Sequence, residues 1–208
     1  MRQAENLVAG ALQVAARAQE CFGGIQHAEP SRIGSDSPAV GDDVDELGRH
    51  DGADDKQVVL FVEEHDLDGI SVECFPMIRE KKVTACPSLA LLNKLKIPAA
   101  CEGDMVSLAG MMLIRSIFNK VPWMANLSGV KDNEAQFSHC SVPLDLLRQY
   151  TLNTHFETQL GLAIEGILSG DEFTVFRLDK YMMKAFVAEG VAIEKHPFGI
   201  TVLKSASK

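Results

Sequence analysis

With 208 residues, 46% of them apolar and 24% charged, the chain carries enough hydrophobic material for one large domain or two small ones. Its net charge of −9, with lysines and arginines scattered apart from Arg79-Glu-Lys-Lys82, argues against a nucleic-acid partner. The longest apolar run, Met105 to Ile114, is too short to span a bilayer and contains Ser107 and Gly110, so no membrane partner is expected.

Along residues 4–22, Leu7, Val8, Ala11, Leu12, Val14, Ala15 and Ala18 recur at helical spacing. An amphipathic helix is expected there. Glu5 and Asn6 precede the apolar part, and Gln13 and Arg17 interrupt it, which argues against a signal peptide. From Gly23 to Lys56 the composition shifts to seven aspartates and six glycines. Such a stretch buries too little surface to offset its ordering entropy and reads as a flexible acidic connector.

Order resumes at Val58-Val-Leu-Phe-Val62, which fits a strand or, with Glu63-Glu-His65, a helix ending at Asp66 to Gly69. Ile70 to Phe75 reads as a short strand closed by Pro76. Pro87 starts a helix bearing Leu89, Leu91, Leu92 and Leu95. A strand at 97–102, a helix at 105–118 and a strand at 121–126 continue the alternation. Ala135 to Cys140 alternates as a strand, and Leu144 to Tyr150 reads as a brief helix. Strands follow at 161–167, 172–178, 184–188, 191–194 and 200–204, with turns at Ser169-Gly-Asp171 and Glu189-Gly190. The expected fold is α/β, a mostly parallel sheet with flanking helices, followed by a small antiparallel β barrel or sandwich. Its expected units are the helix and connector at 1–56, an α/β segment at 57–133 and a mainly β domain at 134–208.

Ligands of open α/β sheets bind beyond the carboxyl ends of the strands. The two consecutive strands at 97–102 and 121–126 would bring Glu102 and Asn126 to that edge, where they can grip a cation or a hydroxyl-rich ligand. Asp104 is either a third polar group of this site or the cap of the following helix. The five cysteines, at 21, 74, 86, 101 and 140, lack paired spacing and read as reduced core thiols of a cytoplasmic protein. A rival reading converges Cys74, Cys101 and Cys140 with His139 on zinc. Met105, Met111 and Met112 are assigned to core packing, and so are Met182 and Met183.

Five motifs occur in order: Cys74-Phe-Pro76, Ala100-Cys-Glu-Gly-Asp104, Pro122-Trp-Met-Ala-Asn126, Phe137-Ser-His-Cys140 and Thr154-His-Phe-Glu157. Together they resemble the later half of the L-fucose isomerase/L-arabinose isomerase family, nearest its short relatives, over roughly residues 58 to 194. The resemblance implies interconversion of an aldose and a ketose with a divalent metal, commonly manganese. It implies Glu102 as metal ligand and proton-moving base. It places Asn126 where the sugar isomerases have a second, acidic metal ligand.

The reaction removes a proton alpha to a carbonyl, giving an enediol, so a base and a group that holds the oxyanion are both needed. His155 and His139 are candidates for polarising or protonating the sugar oxygens. Trp123 is a candidate wall against the sugar face, or else a core residue. Asp104 is a candidate contact to the substrate.

The family also has a longer N-terminal region and a metal-binding histidine close to its C-terminus, and nothing around His196 matches that motif. This leaves a truncated or degenerate copy, or a site completed by a partner chain in a homo-oligomer. The alternative function is a non-catalytic carbohydrate-binding or regulatory module on the same scaffold.

Overall fold

The computed structural model describes residues 12–16 and 55–204. The helix expected over 4–22 and the connector before Asp55 otherwise lie outside the described residues. Strand β1 (Leu12–Ala16) is followed by helix α1 (Asp55–Glu64), strand β2 (Ile70–Ser71), and helices α2 (Cys74–Lys81) and α3 (Cys86–Lys94). Strand β3 (Ala99–Ala100), helix α4 (Met105–Phe118), strand β4 (Trp123–Lys131) and strand β5 (Glu134–Ser138) come next. After a 3-10 turn at Leu144–Leu146 the rest is strand: β6 (Leu147–Asn153), β7 (Ala163–Leu168), β8 (Glu172–Leu178), β9 (Ala185–His196) and β10 (Gly199–Lys204).

The expectation of a mostly parallel sheet is overturned. Parallel pairing among the described residues is confined to β2 and β3, with Ile70 against Ala99 and Ser71 against Ala100. The main sheet is a closed antiparallel barrel in the order β1-β4-β5-β10-β9-β8, and β6 and β7 form a separate hairpin. The cause is visible at Lys131-Asp-Asn-Glu134. Asp132 takes a left-handed backbone (φ 54°), and the two-residue turn folds β5 back antiparallel on β4. A strand following a helix thus enters the barrel instead of extending a parallel sheet.

Local assignments are corrected too. Leu12–Ala16, expected within a helix, is the strand that closes the barrel between β4 and β8. Cys74 and Phe75, expected in a strand, begin α2. The helix expected at 144–150 is one 3-10 turn leading into β6. No turn interrupts β9 at Gly190, which pairs with Phe173 on one side and Lys204 on the other. Of the methionines assigned to core packing, Met111 is buried, whereas Met105, Met112, Met182 and Met183 are exposed. No helix among the described residues is long and apolar enough to cross a membrane.

Two apolar cores result. One packs α1, α2, α3 and α4 around β3, centred on Leu89, Leu92, Met111 and Ile164. The other fills the barrel with Trp123, Phe137, Phe173, Val175 and Ile200. The buried Asn93 of α3 locks the short β3 in place: its Nδ2 donates to Ala99 O at 2.9 Å, and Ala99 N donates to its Oδ1 at 2.8 Å. A side-chain amide thereby serves as the missing neighbour strand, and β3 can deliver the residues that follow it.

Gly161 sits tightly against Thr84, just before α3. Its φ is +62°, and an added Cβ would meet Thr84 Cγ2 at 2.7 Å and Thr84 N at 2.9 Å. Thr84 Oγ1 in turn accepts from Leu162 N at 2.9 Å. Gly161→Ala is therefore expected to cost about 2 kcal/mol, combining left-handed strain with overpacking. A urea melt of the variant checks this; an unchanged midpoint contradicts it.

Candidate functional site

The site is built on the link from β3 to α4. Glu102 (φ 59°) and Gly103 (φ 66°) are both left-handed, an unfavourable choice for the glutamate. Neighbours clamp it on either side: Cys101 N donates to Met124 Sδ at 3.3 Å, and Gly103 N donates to Val72 O at 3.1 Å. This turn aims the Glu102 side chain toward the start of the barrel strands instead of along α4.

There it meets Asn126, whose Nδ2 donates to Glu102 Oε1 at 2.9 Å. His139 Nε2 lies 3.7 Å from the same oxygen, a polar contact just beyond hydrogen-bond length. Asn126 pairs with Ser138, and the β4/β5 register shifts between Leu127 and Gly129. The bulge sets Ser128 on the cleft wall, the re-aiming that bulges commonly provide next to sites.

The His139 tautomer follows from its bonds. Ser141 N donates to Nδ1 at 3.3 Å, and Ser141 Oγ lies 2.9 Å from it. An accepting Nδ1 puts the ring proton of neutral His139 on Nε2, toward Glu102.

The cleft encloses about 230 Å³ and is lined by Glu102, Asn126, His139 and His155 together with Cys74, Cys101, Cys140 and the 156–157 pair. Drug-sized pockets run to roughly 300–1,000 Å³, so this one fits a ligand of few carbons. The facing His139 ring holds the Glu102 carboxyl below its ordinary value, assisted by Asn126 and opposed by burial. Burial lowers the pKa of His155 and favours its neutral form. Cys74, at the start of α2, is brought down to about 7 by the adjoining Cys101 thiol, against the effect of burial. Cys101 is pushed up, because it is the proton donor of that pair.

Of the residues singled out from sequence, Glu102, Asn126, His139 and His155 share this cleft. Asp104 and Trp123 are not part of its lining. Asp104 is the N-cap of α4: Ser107 N and Ser107 Oγ each donate to it at 2.8 Å, and Arg177 Nη1 from β8 donates at 2.9 Å. Burial raises its pKa, but these donors outweigh it and hold the carboxyl below its ordinary value. Trp123 is 0% exposed inside the barrel and offers no face to a sugar.

Manganese, implied by the resemblance, takes about six oxygen-type ligands. Glu102 and Asn126 are hydrogen-bonded to each other, and Asp104 is committed elsewhere, so these residues alone do not make a hard-cation site.

A different group can hold a metal ion: Cys86, Cys140 and His155, all buried, offer ligand atoms within 4.8 Å of one another. Sequence reasoning placed Cys74, Cys101 and His139 beside Cys140 and missed Cys86. The available signal was Cys86-Pro87, a cysteine at the first position of a proline-started helix.

No family model matches the chain, and no curated protein matches its sequence.

A pH dependence follows from Glu102. Its folded pKa lies below the ordinary 4.5, so it contributes stability at neutral pH that is lost as pH falls through the lowered value. Glu102→Gln should lose this acid limb. Urea midpoints of the two proteins, measured from pH 6 down to about 3, are expected to converge as the pH falls.

Proposed function

We propose that this cleft transfers protons on a small hydroxylated carbonyl compound, as in aldose–ketose isomerisation. The observation that carries the reading is the convergence of an ionised Glu102, held by Asn126, with the Nε2–H of His139 in one small polar cleft. Glu102 removes the proton alpha to the carbonyl. The C–H electron pair forms the enediol double bond, and the carbonyl oxygen takes the proton of His139 Nε2. Glu102 then returns its proton to the former carbonyl carbon, and the carbon that first lost its proton becomes the new carbonyl as its hydroxyl proton passes back to His139. Ser141 fixes the ring for both directions. General acid–base groups of this kind contribute about 100- to 10,000-fold each.

The same motifs that resemble the sugar isomerases supply Glu102, Asn126, His139 and His155, which supports a sugar as substrate. A homo-oligomer belongs to this reading. It is supported by apolar side chains left exposed on α4 (Leu113, Ile117, Phe118) and β9 (Val187, Ile193). Sedimentation of the purified chain tests that part.

The test of chemistry is solvent exchange. Three- to six-carbon aldoses and ketoses are incubated in deuterium oxide with the full chain, with and without Mn2+, and deuterium at the two carbons is followed by NMR. Incorporation that Glu102→Gln abolishes supports the proposal. Folded protein that binds a sugar without exchange overturns it in favour of a non-catalytic carbohydrate-binding module.

A further inference from the structure

We infer that Cys86, Cys140 and His155 form a site for a borderline-soft divalent cation, zinc by preference, with the fourth coordination position open to the cleft. The inference does not rest on the proton-transfer reading. Three separate segments supply the ligands: Cys86 begins α3, Cys140 lies two residues beyond β5, and His155 two beyond β6. Nothing local in the sequence brings them together. The fold does.

The ligand chemistry selects the ion. Two sulfurs and an imidazole suit zinc and exclude calcium or magnesium, which prefer oxygen. Two thiolates cancel the ion's two positive charges, and only a neutral complex is inexpensive to hold where every ligand is at most 4% exposed. Each bound ion displaces two thiol protons to solvent. The Sγ atoms of Cys86 and Cys140 are 3.1 Å apart. Tetrahedral zinc with bonds of about 2.3 Å sets two sulfurs about 3.8 Å apart, so the pair need open by only about 0.7 Å.

The surroundings are those of a metal ligand set. His155 Nδ1 lies 3.2 Å from Thr158 Oγ1, a bond that fixes the ring and leaves Nε2 for the ion. Phe156 and Phe198 pack against Cys86, Cys140 and Ala163 and give the site an apolar surround. Cys140 and His155 line the cleft, whereas Cys86 does not. The ion therefore sits in the cleft wall, with one face toward solvent or ligand. Three protein ligands and one open position characterise zinc sites that bind or activate a further molecule.

The test uses the reduced, metal-free full chain titrated with Co2+ and then Zn2+. The expected result is one ion per chain, sulfur-to-cobalt charge-transfer absorption, release of two protons by calorimetry in buffers of different ionisation enthalpy, and displacement of cobalt by zinc. Cys140→Ser should weaken binding by about 100-fold or more, and Thr158→Val by about 10-fold. Cys74→Ser, on the same cleft but outside the ligand set, should leave it unchanged. Because Cys86 and Cys140 are core residues, the wild-type cobalt spectrum provides a readout that no variant's folding can confound. Folded wild-type protein with no charge-transfer band overturns the inference. So does zinc affinity that survives Cys140→Ser in a folded chain. Glu102→Gln should leave the titration intact, which separates failure of this site from failure of the proton-transfer reading.

Discussion

Replacing Glu102 by glutamine should lower deuterium exchange by about 100- to 10,000-fold, because the amide cannot accept the alpha proton yet keeps the shape of the acid. A second replacement distinguishes loss of chemistry from loss of structure. Glu102 adopts φ 59°, a conformation that costs a side-chain-bearing residue about 1 kcal/mol or more relative to glycine. Glu102→Gly should therefore abolish exchange, and should raise the urea midpoint once the pH is below the lowered carboxyl pKa, where the acid no longer contributes its ionised contacts. That opposition is the expected mark of a strained residue retained for its chemistry. Exchange that persists in Glu102→Gln, or a glycine variant less stable than wild type at that low pH, contradicts the argument.

The largest loss of stability is expected at Asp104. Its carboxylate caps α4 and reaches across to Arg177 on β8, tying the helical layer to the barrel. Asp104→Ala removes a cap worth about 1 kcal/mol. It also deprives a largely buried guanidinium of this carboxylate, which costs about 3 kcal/mol more. The total is roughly 4 kcal/mol. Asp104→Asn keeps the cap and should recover about a quarter of the loss. Denaturant unfolding of the two variants measures both parts. Equal losses would show that the cap has no role.

Local patterns were legible wherever one period dominated. Helix 105–118 and strand 172–178 appear with the bounds expected from their apolar spacing. The topology was not legible, and particular residues show why. Leu12-Gln-Val-Ala-Ala16 fits a period of two as well as one of 3.6, so periodicity alone could not assign β1. Ile70 to Phe75 looks extended because it is apolar, but only two residues pair before α2 starts. The turn at Asp132-Asn133 carries the decision between parallel and antiparallel sheets in two residues. Strand direction is a long-range property, and the alternation of helix and strand in 86–126 gave no hint of it.

The cleft was readable in a narrower sense. Glu102 and Asn126 meet, although through the barrel entry of β4 and not the edge of a parallel sheet. Asp104 follows the first of them by only two residues and points away, since the left-handed turn at Glu102-Gly103 separates acid from cap. Trp123 precedes Asn126 by three positions, and strand alternation sends it into the barrel interior. Cys86 was overlooked because its partners lie far along the chain, and ligand spacing informs only when a site is built from neighbouring residues.

The barrel's closing strand has a consequence for biosynthesis. Residues 12–16 hydrogen-bond to β8, whose last residue, Leu178, lies about 160 positions downstream. At about 5–20 residues per second, the ribosome needs roughly 8–30 s to deliver that partner. During this interval β1 waits without β8, and until β4 is made it waits without either neighbour. An emerging chain thus has to shield an unsatisfied β edge, and holdase chaperones should associate with it until translation passes β8.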